Sequence, residues 1–300
     1  MEISNPDRVV FPDDGITKGD VVDYYRLVGD RILPFLSGRA LTVERFPKGL
    51  SGKGFMQKNV PRHAPKDLIA RHEVPKEDGV TTHPVIDSKR AIVFFANLGV
   101  ITFHIPPALV ADWRHPDWMI WHLDPTEGRV DMVREAARRL RDALLQWDIS
   151  TVLMTSGSKG YHLRTPLKSD VEWEVAARVA RGLAALVAAE NEGLMTLEFR
   201  KAERGGRVFL DWLRNAPYST SVSPWSLRAR AGAPVAAPIA WDELETIEPD
   251  GLRLSSMNER IGEDLWAGAE PIGLGGLDAR VSDELEQAGI VLESFDRFRS

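Results

Sequence analysis

The stretch Trp118-Met-Ile-Trp-His-Leu-Asp-Pro125 decides the fold. From Trp118 to Leu123 it is apolar except at His122, too short for a helix, and it runs into Asp124-Pro125, a natural turn, so it reads as a buried strand. Just beyond it, Val130, Val133, Ala137, Leu140, Leu144 and Trp147 mark one face of an amphipathic helix. The other face carries Arg134, Arg138, Arg139 and Arg141 and is most simply a solvated surface. Thr151 to Thr155 and Tyr161 to Thr165 are two more strands, flanking Ser156-Gly-Ser-Lys-Gly160. Ser169-x-x-Glu172 reads as a capping box opening a helix to about Glu190, and Leu194 to Phe199 and Val208 to Trp212 return to strand. This alternation predicts a mixed sheet covered by helices.

Working outward toward the amino terminus, Thr17-Lys-Gly-Asp20 opens a helix. Its apolar positions Val21, Val22, Tyr25, Val28, Ile32 and Leu36 carry it to Gly38. Leu41 to Phe46 and Phe55 to Asn59 read as short strands, Ser88 to Leu98 as a helix, and Val100 to Ile105 as a strand. After Pro224 the chain is rich in Pro, Ala and Gly, and Ser282 to Arg297 reads as a terminal helix. No repeat or polar linker divides the chain, which predicts one catalytic-type domain over residues 1–268 and a helical appendage over 269–300.

The 300 residues are 43% hydrophobic and 27% charged, ordinary values that exclude collagen-like and largely disordered chains. The absence of cysteine excludes disulfide frameworks, thiolate zinc sites and cysteine nucleophiles. It fits a reducing, cytoplasmic setting. No signal-like segment and no run of 18 apolar residues is present, so no membrane is expected. A net charge of -6 argues against diffuse attraction to nucleic acid, leaving local basic grooves to carry any such binding.

Several groups have the chemistry for a site. Asp124 and Asp211 stand at strand ends, where carboxylates either cap turns or hold hard cations. His122, two residues before Asp124, faces the same side of its strand, so the pair has the spacing to ligate one metal. Ser156 to Gly160 offers backbone N–H groups, hydroxyls and an ammonium, either to a triphosphate or simply as a hairpin turn; it lacks Walker spacing. Arg200, Lys201, Arg204, Arg207 and Arg214 surround Asp211. Arg228 and Arg230 follow at period two, aimed at one face. His104 and His162 read as satisfied core histidines. Lys76-Glu-Asp-Gly79 has the form of a ligase lysine motif but lacks the later Arg, and it reads as a polar loop.

In order along the chain, Asn5-Pro-Asp-Arg-Val-Val-Phe-Pro12, Thr17-Lys18, Leu41-Thr-x-x-Arg45-x-Pro47, Phe55-x-Gln-Lys58, His104-Ile-Pro106, Leu123-Asp-Pro125, Thr155-Ser-Gly-Ser-Lys-Gly-x-His162, Phe209-x-Asp-Trp212 and Ser226-Leu-Arg-x-Arg230 resemble the polymerase domain of bacterial ligase D and its stand-alone relatives, in the archaeo-eukaryotic primase superfamily. The resemblance covers residues 4–268. It implies an α/β (α+β) primase-polymerase catalytic core of mixed and antiparallel sheets flanked by helices, adding nucleotides, preferentially ribonucleotides, to DNA ends in non-homologous end joining. Manganese or magnesium and nucleoside triphosphates would be required. By position, His122, Asp124 and Asp211 would be the catalytic, metal-binding group. His104, Ser156, Lys159, Gly160, Arg228 and Arg230 would line the nucleotide site. Asn5, Arg8 and Lys18 would hold the 5′-phosphate of a DNA end, with Phe55, Lys58 and Arg204 also on DNA. Ku and a separate DNA ligase are the implied partners. Three departures stand out: His122 replaces the first aspartate of an Asp-x-Asp motif, Met56 replaces an aromatic residue, and Ser219 stands where some relatives have lysine. The first implies an alternative, a catalytically weakened module for binding or synapsis of DNA ends.

Overall fold

The computed structural model describes residues 2–76 and 79–292. Two sheets organise the chain. The smaller is antiparallel and built from β1 (Thr42–Arg45), β2 (Phe55–Gln57), β3 (Val100–Ile105) and a short later strand, Ser221–Val222, in the order Ser221–Val222, β3, β1, β2. The larger sheet contains β4 (Trp118–Pro125), β5 (Val152–Thr155), β6 (Tyr161–Pro166), β7 (Met195–Thr196), β8 (Val208–Asp211) and β9 (Pro238–Ile239). Its order is β7-β8-β4-β6-β5-β9, antiparallel except for the parallel β7–β8 pair. The segment that reads as a buried strand is therefore central, with a neighbour on each side.

Each sheet has its own core. Helices α1 (Lys18–Leu27), α2 (Gly29–Leu36) and α3 (Lys89–Asn97) pack with Val43 and Phe103 of the smaller sheet. Helices α4 (Val130–Gln146) and α5 (Trp173–Glu190) pack with Trp121, Leu123, Leu163 and Leu210 of the larger one. Because side chains alternate along a strand, the opposite faces of both sheets are left to line the space between the two cores. A small cluster of Met154, Val222 and Ala236, with Trp266 packed against it, fills part of it.

The capping box at Thr17 forms as expected: Thr17 Oγ1 accepts from the Asp20 backbone N–H, and the Asp20 carboxylate accepts from the Thr17 N–H at 2.7 Å. The single helix expected from Thr17 to Gly38 is instead two helices. They break at Val28, and Gly29 lies so close to α3 that an added Cβ would be 2.8 Å from Lys89 Cδ. The Ser169 capping box does not form, because α5 starts at Trp173 with Glu172 as the flanking residue and no side-chain cap. Ala70–Lys76 and Gly79–Val85 pair as antiparallel strands that the sequence analysis does not assign, and Glu77 and Asp78 of the expected polar loop lie outside the described residues.

The terminal helix α6 (Leu277–Gln287) starts five residues before the expected Ser282 and ends well short of Arg297; positions 293–297 lie outside the described residues. It is seated on α5, where Gly182 makes room for Val281, and the segment before it is bonded to the end of β6 through Ile272 N–H to Pro166 O (3.0 Å) and Lys168 N–H to Ile272 O (2.9 Å). No helix among the described residues is long and apolar enough to cross a membrane.

A Cβ at position 182 would lie 2.2 Å from Val281 Cγ1. Gly182→Ala is therefore expected to destabilise the chain by about 1–3 kcal/mol, the usual cost of overpacking, read as a lower denaturant midpoint. Adding Val281→Ala removes the clashing methyls, so the double variant should regain part of that loss. A double variant less stable than Gly182→Ala would show that α6 is not seated on this glycine.

Candidate functional site

The central strand and its two neighbours gather the ionisable groups. In register, His122 on β4 lies opposite Asp211 on β8 and opposite His162 on β6, so all three side chains share one face, and Asp124 joins them two residues on. The His122 Nδ1 to Asp211 Oδ2 distance is 3.8 Å, and the His122 and His162 ring centroids are 4.4 Å apart. Burial alone would raise the Asp211 pKa, but the His122 imidazole 3.8 Å away and the guanidinium of Arg214 outweigh it, holding the carboxyl below the usual aspartate range. Arg214 donates to Asp211 Oδ2 at 2.7 Å through Nε, and the Leu213 N–H donates to Oδ1.

Asp124 is held differently. Its side chain is 38% exposed and takes a hydrogen bond from Arg204 Nη1 at 2.9 Å. Arg204 is only 5% exposed, donates to the Glu198 and Phe199 carbonyls as well, and stacks 4.4 Å from the Phe209 ring centroid. The expectation of a DNA-facing Arg204 is thus corrected: its donors are engaged beneath the site, where it fixes Asp124.

The loop from Ser156 to Gly160 lies against β4 itself. A Cβ at 160 would stand 1.7 Å from the Leu123 carbonyl oxygen, so only glycine fits, and Gly157 has φ +61° against Arg228. Ser156 Oγ accepts from the Ser158 and Gly160 N–H groups, each at 3.2 Å. Arg228 and Arg230 reach this loop, though not by the period-two strand expected for them. The strand ends at Leu227 and both lie in the following bend, from which Arg228 Nη1 donates to Ser156 O and Arg230 Nη1 to Ser158 Oγ. Arg228 Nε is buried without a partner, and Lys159 is exposed at the loop.

Across the cleft, β3 carries His104, opposite Thr42 in register. Burial, then the charges of Arg228 and Arg214, push its pKa down to about 3, so its ring is neutral at physiological pH. The reading of His162 as a satisfied core histidine needs correction. It is buried and its pKa is pushed well down, chiefly by burial and then by His122, but its Nδ1 has no partner. Its signal in the sequence was its place, two residues past the glycine loop on a strand pairing with β4.

A third group lies at the amino terminus. Asn5 adopts φ +50°, Arg8 Nε is buried and unpartnered, and Lys18, 1% exposed, donates from Nζ to the Ser4 carbonyl (2.5 Å) and hydroxyl (2.8 Å). Burial, with the charge of Arg8, lowers the Lys18 pKa to about 8. The Asp14 carboxylate accepts from the Gly232 N–H at 2.6 Å, joining this end of the chain to the arginine bend. Phe55 and Met56 are exposed on the edge strand β2, and Lys58 follows them, also exposed.

The group does not fit a preformed two-cation centre. Its donors are two carboxylates and an imidazole, each carboxylate is already paired with a guanidinium, and no three His, Cys, Asp or Glu side chains among the described residues are disposed to hold a metal ion.

Comparison with known proteins places this arrangement. The family described as LigD, primase-polymerase domain, matches residues 17–266. A multifunctional non-homologous end joining protein LigD of Mycolicibacterium smegmatis is 32% identical over 95% of this chain, which spans 37% of that protein. The corresponding LigD DNA repair protein of Mycobacterium tuberculosis is 33% identical over 88% of the chain and 36% of its own length. The chain thus spans little more than a third of these relatives. The polymerase domain of Mycobacterium tuberculosis ligase D, solved in complex with DNA, superposes with a TM-score of 0.81 at 32% identity, covering 93% of this chain and 98% of that one. With the family matched from Thr17 to Trp266 across both sheets and the cleft between them, the chain belongs to the LigD primase-polymerase domain family.

Proposed function

We propose that the chain is a DNA-end-directed nucleotidyltransferase that adds nucleotides, preferentially ribonucleotides, to broken ends during non-homologous end joining. The observation that carries this reading is the convergence of Asp124 and Asp211 with the Ser156–Gly160 loop, Arg228 and Arg230 on one side of a cleft and His104 on the other. The reaction is in-line displacement: the 3′-hydroxyl of a primer attacks the α-phosphate, the bond to the β-phosphate breaks and pyrophosphate leaves. Lys159, Arg230 and the free Nε of Arg228 supply charge and donors to the triphosphate. Asp211, kept ionised by His122 and Arg214, lies where the attacking hydroxyl is oriented. The neutral His104 ring offers one donor and one acceptor, suited to reading a 2′-hydroxyl. A divalent metal, manganese or magnesium as the resemblance implies, belongs to this reading although its site is not preformed; His122, Asp124 and Asp211 are the residues that would hold it.

Arg8 and Lys18, adjacent cations with no acidic partner among the described residues, make an anion site beside Asn5, suited to the 5′-phosphate of an end. Ser4 covers the Lys18 ammonium, so Lys18 acts there mainly through its charge. Ku and a separate DNA ligase are the partners this role calls for, in the cytoplasm.

His122 and the two guanidinium-paired carboxylates favour a second reading, a module that grips ends with little catalysis. Extension of a 5′-phosphorylated gapped primer with ribonucleotides separates the two. Asp211→Asn, folded as judged by its melting temperature, is expected to lower extension on the order of a hundredfold or more, as when a group stabilising transition-state charge is lost. Wild type inert with either metal would leave the gripping role. His122→Asp restores a carboxylate and is expected to raise extension with magnesium more than with manganese; an unchanged ratio would detach His122 from metal use.

A lysine loses its proton near 10.5 when free, but Lys18 does so near 8. Below that pH it is cationic and attracts phosphate. The preference for 5′-phosphorylated over 5′-hydroxyl ends, measured by fluorescence anisotropy, should therefore decline as pH rises from 7 to 9. A preference constant to pH 9.5 would exclude Lys18 from the phosphate site.

A further inference from the structure

The cleft-facing side of the smaller sheet, across from the carboxylates, carries polar groups that the site described above does not use. β1 and β3 pair Thr42 with His104 and Glu44 with Thr102, so these four side chains stand together on one face. The short strand Ser221–Val222 adds Val222 beside His104, and Met56 of β2, which is exposed, lies on the other side of Glu44.

These groups are left open in a particular way. Thr42 and Thr102 are 2% and 0% exposed, and neither hydroxyl has a hydrogen-bond partner, an arrangement that native interiors rarely leave unfilled. Glu44 is half-buried, and among the described residues its carboxylate accepts no hydrogen bond and forms no ion pair. Its charge is nevertheless felt by Arg228, where it opposes the lowering of the guanidinium pKa that burial imposes. Arg228 itself bonds to Ser156 O in the glycine loop and keeps a buried, unpartnered Nε. The carboxylate thus stands within electrostatic reach of an arginine assigned to the triphosphate, and neither group neutralises the other by contact.

A carboxylate in this place repels phosphate, and none of the side chains that share its face is a second acid, so neither a phosphate nor a metal ion is its natural occupant. What it attracts is a pair of adjacent hydroxyls. Two O–H donors on neighbouring carbons meet the two oxygens of one carboxylate, and an acidic side chain holds a ribose hydroxyl in this manner in dinucleotide-binding sheets. Each hydroxyl also accepts, and Thr42 Oγ1 and the His104 ring stand on the same face as donors. We infer that Glu44 is a specificity-determining residue of the nucleotide site, its carboxylate accepting the 2′- and 3′-hydroxyls of a ribonucleotide whose triphosphate lies on Arg228 and Arg230. The inference rests on the nucleotide-site reading above and deepens it, because it gives the choice of sugar to an acid that the sequence motifs do not include.

The test measures binding to the intact chain without DNA, so its result does not depend on catalysis. ATP, 2′-deoxy-ATP and 3′-deoxy-ATP, each as its manganese complex, are titrated calorimetrically into wild type, Glu44→Ala and Glu44→Gln, with folding checked by melting temperature. Wild type is expected to bind ATP roughly tenfold or more tighter than either deoxy analogue, the usual worth of a hydrogen bond to a charged group. Glu44→Ala should weaken ATP binding to the level of the analogues while leaving the analogues as they were or slightly tighter. Glu44→Gln, which keeps the size and loses the charge, should lose most of the preference as well. An acid that acted only through its charge on Arg228 would, when removed, tighten all three nucleotides alike, and one that only supported the sheet would weaken all three alike; either result overturns the proposal. So does a preference for ATP that survives in Glu44→Ala. Wild type that binds all three equally would overturn the role of Glu44 and leave the nucleotide site standing, whereas wild type that binds none of them would overturn both.

Discussion

The contact on which the site depends is the approach of residue 160 to the Leu123 carbonyl, where nothing larger than hydrogen can stand between the loop and β4. β4 carries His122 and Asp124 on the face that also receives His162 and Asp211 from its two neighbours. Because the loop is pressed onto that strand, Arg228 and Arg230, which bond to Ser156 and Ser158, are brought to the same place. A bulkier residue at 160 would displace the loop and arginines together, so one missing methyl group couples the acidic half of the site to its basic half.

The electrostatics follow from the same packing. A carboxylate as deeply set as Asp211 stays ionised only with partners, and His122 and Arg214 provide them. Asp124 is more open and is aligned from below by a buried arginine that also satisfies two backbone carbonyls. Both acids are therefore pre-aligned and partly neutralised. His122, where the resemblance implies an aspartate, fits this balance, because an imidazole 3.8 Å from Asp211 avoids the repulsion that a further carboxylate would add.

What the sequence disclosed, and what it concealed, has a physical pattern. Strands buried on one face and amphipathic helices announce themselves through spacing, which is why β4, α4 and the two strands around Ser156 stand close to where periodicity puts them. The hairpin from Ala70 to Val85 carries Pro75, Pro84 and several charged side chains, so its alternation is masked and its pairing rests on backbone bonds. The break at Val28 is invisible for a related reason: the apolar spacing continues through it, and only the proximity of Lys89 on another helix marks it. Among the candidate site residues, the strand-end positions of Asp124, Asp211 and the glycine loop were legible. The engagement of Arg204 beneath the site and the unpartnered nitrogen of His162 were not, since each depends on residues more than thirty positions away.

The seam between the two sheets has a mechanical consequence. Each half is packed around its own apolar centre, and the two are tied by Met154, Val222 and Ala236, by Leu252, which packs on both cores, by Trp266 against Phe35 and Trp118, and by the Arg39–Asp117 ion pair. A change in the spacing of the two sheets would have to break these contacts together, so the seam holds the groups from His104 to His122 at a set separation. A duplex end and a nucleotide entering there would meet a space whose width the apolar and ionic ties on its flank have already fixed.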